Sequence, residues 1–166
     1  MTNDIVIDAF NRIQEEATSV LEGLTEKDLT FRPSDDANSI AWLIWHLTRV
    51  QDDHIADLRG EEQVYTAGEW AKKFDLPFDD SETGYGFSAS QVGDVQASAE
   101  LLSDYLDAVH QATVDYITTL DEDDYEKIID ESYDPPVTLG VRLVSVLSDD
   151  LQHVGQAAYV RGLLGK

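Results

Sequence analysis

A chain of 166 residues is about one domain long and can bury a single sizeable core. Its 11 Lys and Arg stand against 34 Asp and Glu, a net charge of −23, so its surface repels nucleic-acid phosphates and anionic membranes and excludes both as partners. There is no cysteine, which excludes disulfides and any protein-borne thiolate; a thiol used in chemistry must arrive as a small molecule.

The apolar pattern is helical almost throughout. Phe10, Ile13, Ala17, Val20 and Leu21 recur at three- and four-residue steps and predict a first amphipathic helix ending near Gly23. Ser39 is placed to cap a second helix, IAWLIWHLTRVQDDHIADLR, that Gly60 terminates. A long irregular segment follows, with a short helix around GEWAKKF and a glycine- and aspartate-rich loop, DLPFDDSETGYGF. In that loop GYG reads as a turn and no more. Its aromatics, with Tyr65, Trp70 and Phe74, are placed to cover one end of the core.

Ser98 opens a third long helix running to Leu120, and a loop with Tyr133, Pro135 and Pro136 leads to a last helix from about Thr138 to Leu164. Four long helices, two long connections and no convincing strand set predict an all-α fold: a single-domain four-helix bundle with long connecting loops over residues 1–166. No apolar run is long enough to span a bilayer. The N-terminus lacks the basic start and apolar block of a secretory signal, so the expected location is cytoplasmic. The helix faces leave room for a homodimer.

Four histidines are present: His46, His54, His110 and His153. Asp149 and His153 stand four apart on the last helix, one above the other, a spacing that serves equally for a helix-stabilising pair and for two ligands of one metal ion. His46 lies mid-helix among Trp42, Leu43, Trp45 and Leu47, where an imidazole is costly to bury unless both ring nitrogens find partners. Either a polar side chain of a neighbouring helix or a metal would satisfy it. A set of His46, Asp149 and His153 would give two nitrogens and one oxygen, suited to zinc or a similar divalent ion with an open position.

Asp53 lies about 20° from His46 around the helix axis and about 10 Å along it, a candidate to line a pocket above the metal. Gln156, close to His153 on the same helix, is a candidate to orient a ligand or contact substrate. Arg161 is a candidate for holding a substrate carboxylate, or else a cation favoured by the helix C-terminus. His54 reads as the solvated end of its helix, and His110 as structural. Asp150, turned about 100° from Asp149, faces another helix or solvent. There is no Gly-x-Ser-x-Gly elbow and no phosphate-cradling glycine loop.

The segments WHL at 45–47 and DDLQHVGQAAYVRG at 149–162 resemble the DinB superfamily of four-helix metalloproteins. That superfamily includes S-transferases that use bacillithiol or mycothiol and mycothiol-dependent maleylpyruvate isomerases. The resemblance implies a metal held by His46, Asp149 and His153: zinc, with nickel, manganese or iron as alternatives. It also implies a low-molecular-weight thiol as co-substrate, acting on a small-molecule electrophile. Many members carry histidine or glutamate where this chain has Asp149. The segment from DPPVTLG onward resembles actinobacterial members, which points to mycothiol. The rival expectation is a non-catalytic bundle that acts as a dimeric binding protein.

Overall fold

Three hydroxyls set the starts of three long helices. Ser39 accepts a hydrogen bond from the Trp42 amide at 3.2 Å, Ser98 from the Leu101 amide at 3.1 Å, and Thr138 from the Val141 amide at 3.3 Å. Each satisfies a backbone donor that a helix start leaves orphaned. In the computed structural model, which describes residues 1–166, the helices are α1 (Thr2–Leu21), α2 (Glu26–Leu29), α3 (Ile40–Arg59), α4 (Val64–Ala67), α5 (Trp70–Phe74), α6 (Ala89–Asp94), α7 (Ala99–Thr118) and α8 (Leu139–Leu163). Gly60 ends α3 at φ 63°, a left-handed conformation that glycine adopts without strain.

The long helices form a square in which α3 packs on α7 and α8, and α1 packs on the same two. Helix α3 is the most enclosed. From Ile40 to Arg49 every residue is buried, and each large apolar side chain so covered contributes about 1.5–3 kcal/mol. Trp45, Tyr105, Phe10 and Ile13 are among the largest fully covered side chains. The fold is the expected all-α bundle with long connections. Some features differ from the sequence expectation: α2, α4 and α6 are additional short helices, and β1 (Ile128–Asp130) pairs antiparallel with β2 (Val137–Thr138). Strands of three and two residues are too short to show a period-2 pattern.

A buried ion pair ties the connections to α3. Arg49, fully covered, donates to the Glu82 carbonyl at 3.1 Å, the Asp80 carbonyl at 2.8 Å and Gln63 Oε1 at 2.7 Å. Its guanidinium lies 4.0 Å over the Tyr65 ring. One turn on, Asp52 accepts from the Val64 and Tyr65 amides, both at 2.8 Å, and from the Tyr105 hydroxyl at 2.7 Å, with Arg49 3.7 Å away. Burial pushes Asp52 above its usual range. Every group facing it is nonetheless a donor, which suits the ionised carboxylate. Arg49 thus fixes the path of residues 80–82, and Asp52 fixes the start of α4.

Candidate metal centre

The pairing of α3 with α8 brings His46 against Asp149 and His153. The His46 Nε2 to Asp149 Oδ2 distance is 4.0 Å, and His153 Nε2 to Asp149 Oδ1 is 3.5 Å. One ligand atom from each of the three lies within 4.8 Å of the others. Both histidines present Nε2, because in each the other nitrogen is engaged. His46 Nδ1 donates to the Thr83 carbonyl at 2.6 Å, and His153 Nδ1 donates to Gln156 Oε1 at 3.0 Å. Trp42 stacks on the His46 ring, centroids 4.4 Å apart and planes 13° from parallel, and meets His153 edge-on.

These contacts set the charges. Burial and the neighbouring His153 hold His46 below the usual histidine value, against the pull of Thr83 and Asp149. Burial also works against His153, but hydrogen bonds to Asp149 and Gln156 outweigh it and leave His153 above that value. Burial pushes Asp149 upward, and the hydrogen bond and charge of His153 more than reverse it. Asp150 lies in the core with neither oxygen hydrogen-bonded; burial first, then the charge of Asp149, push it well above the carboxylate range. Of the two faces open to Asp150, it takes the one turned toward other helices.

A metal fits this cluster on the evidence of its own atoms. Asp149 Oδ2 is buried without a hydrogen-bond partner, a costly state for a carboxylate oxygen unless a cation or donor sits beside it. Two imidazole nitrogens and a carboxylate oxygen are a donor set for a borderline divalent ion. The 3.5 Å between His153 Nε2 and Asp149 Oδ1 matches the roughly 3.4 Å between neighbouring donors of a tetrahedral ion bound at about 2.0–2.2 Å. The 4.0 Å between His46 Nε2 and Asp149 Oδ2 is wider, and binding would draw these two groups together by about half an ångström.

A cavity of about 330 Å³ opens beside His46 and Asp149, walled also by Val50, Asp53, His54 and Tyr85. Asp53 therefore lies where its helical position predicts, with Oδ1 accepting from Gln63 Nε2 at 2.7 Å. Gln156 holds His153. Arg161 does not line the cavity. It donates to the Val20 and Glu22 carbonyls at 2.6 and 2.8 Å, closing the end of α1. His54 differs from its sequence reading as a solvated helix end. Arg142 donates to His54 Nδ1 at 3.1 Å, so the ring proton sits on Nε2. Burial and Arg142 push its pKa down.

Thr83 and Gly84 are the residues that sequence reasoning missed. GYG is a turn, with φ of 91° at Gly84 and 74° at Gly86, but Gly84 does more than turn. A Cβ there would come within 2.9 Å of Trp45, 3.1 Å of His46 Nδ1 and 3.2 Å of Trp42. Only glycine lets the loop lie close enough for Thr83 to reach His46. The aromatics of the connection divide: Tyr65 and Phe74 are buried, while Tyr85 is exposed at the cavity mouth.

No functionally curated protein matches the chain. A solved structure described as the conserved protein of a locus from Enterococcus faecalis is similar, with a TM-score of 0.92 and 32% identity over 98% of this chain and 97% of that one. The family model for the DinB superfamily matches residues 9–157, a span that carries His46, Asp149 and His153 on their two helices. On that match the chain belongs to the DinB superfamily.

Proposed function

We propose that the protein is a divalent-metal enzyme, with zinc held by His46, Asp149 and His153, that uses a small-molecule thiol of the mycothiol kind on a small electrophile. The observation that carries the reading is the unpartnered, buried Oδ2 of Asp149, on a carboxylate that turns Oδ2 to His46 Nε2 and Oδ1 to His153 Nε2. When bound, the cation would lower the pKa of a thiol or water beside it, making a nucleophile available near neutral pH.

The chain's own groups do the rest. The Thr83 carbonyl and Gln156 hold the two rings in the tautomer that leaves Nε2 free, and Trp42 restrains the His46 plane. Asp53 and His54 line the cavity where the electrophile would lie, His54 as a neutral Nε2–H donor and Asp53 as an acceptor. The lack of cysteine means that the thiol comes from outside. Arg161 is engaged at α1 and has no part in this reading.

Protein purified without added metal and then loaded with zinc should hold one equivalent by elemental analysis. His46→Ala and His153→Ala should each abolish retention, and Gln156→Leu should weaken it by about 10–100-fold, the usual cost of losing a ligand's outer partner. A wild-type protein that retains no metal after loading sinks the proposal.

A further inference from the structure

The cavity beside the metal centre is walled by 9 residues, and none of them is Lys or Arg. Two arginines bond next to it, and both are taken up. Arg49 is fully buried and donates to the Asp80 and Glu82 carbonyls. Arg142 donates to His54 Nδ1 at 3.1 Å and lies 3.5 Å from Asp130. A ring that accepts at Nδ1 is the neutral imidazole, so His54 brings no positive charge either. Two carboxylates do line the wall, Asp53 and Asp149. Asp149 is engaged with His46 and His153. Asp53 is the one charge in the wall that no cation of the chain meets.

Asp53 is also held, unlike a merely solvated acid. Arg49 Nη1 donates to Gln63 Oε1 at 2.7 Å, which turns the Gln63 amide so that its Nε2 donates to Asp53 Oδ1 at 2.7 Å. The buried arginine thus orients the carboxylate through one intervening side chain. Oδ1 is engaged, and Oδ2 receives no hydrogen bond from the chain. The contrast with its neighbour is direct. Asp52 is filled by the Val64 and Tyr65 amides and the Tyr105 hydroxyl. Asp53, half-buried, keeps an oxygen open at the cavity. A partly covered carboxylate in that state is best met by a donor that brings a positive charge with it.

We infer that the electrophile taken into this cavity carries an amine in its ammonium form, seated on Asp53 Oδ2. Asp53 stands about 10 Å from His46 along α3, so the ammonium occupies the end of the ligand away from the metal centre. A carboxylate or phosphate ligand would face Asp53 with no cation to receive it. That the ligand is the reacting substrate rests on the proposed function; the ammonium seat itself needs no metal.

Heteronuclear NMR of the full chain, titrated with n-butylammonium, n-butanol and n-butyrate, tests it. In about 0.15 M sodium chloride the Debye length of about 8 Å screens the pull of distant acids. n-Butylammonium should move the Gln63 side-chain amide signals, which report directly on Asp53, and should do so saturably. n-Butanol should bind at least about tenfold more weakly, since a hydrogen bond to a charged group is worth that factor or more, and n-butyrate should not bind. Asp53→Asn keeps the bond from Gln63 through Oδ1 and should weaken n-butylammonium by a similar factor. Asp104→Asn, at an exposed acid of α7, should leave it unchanged. The inference is overturned if n-butanol or n-butyrate binds as well as the ammonium, or if the Gln63 signals stay still. It is overturned equally if Asp53→Asn binds like wild type, or if Asp104→Asn weakens binding as much. Zinc retention on the same samples separates the two readings. Zinc held without ammonium binding removes this inference alone, and ammonium binding without zinc removes the proposed function alone.

Discussion

His153 and His46 differ in what they do with a proton. His46 is held below the ordinary histidine value by burial, so it is already neutral and ready to ligate. His153 stands above that value because Asp149 and Gln156 both engage its N–H groups. The sign follows directly. In the metal-free protein the His153 contacts stabilise the fold below the unfolded histidine pKa of about 6.5, and that contribution fades as pH rises through the folded value. A metal must displace the His153 proton, so affinity should climb with pH across the same window and binding should release a proton there. Calorimetry of zinc binding in two buffers of different ionisation enthalpy measures that release. A proton count that stays at zero from slightly acid to neutral pH would contradict the assignment.

At the scale of elements, the pair Arg49–Asp52 fastens the connections between α3 and α7. Asp52→Asn would turn an amide N–H toward the backbone N–H of Val64 or Tyr65, which can only donate, and leave a covered guanidinium without its counter-charge. Breaking a buried pair from one side costs about 3–5 kcal/mol. For a chain of this length each kcal/mol shifts melting by roughly 2–4 °C. A calorimetric melting point about 10 °C below wild type is expected, and a change of a degree or two would mean that the network carries no such weight.

The long helices were legible because their signals are local: Ser39, Ser98 and Thr138 as caps, Gly60 as a stop, and apolar residues at helical spacing between them. The Asp149–His153 pair was legible for the same reason. Thr83 was not, since its contact with His46 depends on how a loop 37 residues away is laid back over α3. Arg49 and Asp52 left a trace that could have been used: opposite charges three apart within a helix otherwise buried along that stretch. The α3–α8 meeting itself lay beyond any local pattern; an imidazole set among apolar residues in mid-helix offered His46 as the third ligand, and the resemblance to a family placed it with the other two.

For the whole molecule, a net charge of −23 acts on the folded state as self-repulsion. The Debye length falls from about 30 Å at 0.01 M salt to about 3 Å at 1 M, so stability should rise as sodium chloride is added. Melting curves of the metal-free protein over that range measure it, and a melting point that falls steadily with salt would show that attractive ion pairs dominate instead. No helix is long and apolar enough to cross a membrane.

The partner that fixes the His46 tautomer is a main-chain carbonyl at Thr83 rather than a side chain. A peptide oxygen survives every substitution at its own position. Position 83 can therefore drift among amino acids without disturbing the histidine, provided that Gly84 keeps the chain's path. The tautomer is inherited with the backbone, and mutation can reach it only by rerouting the loop.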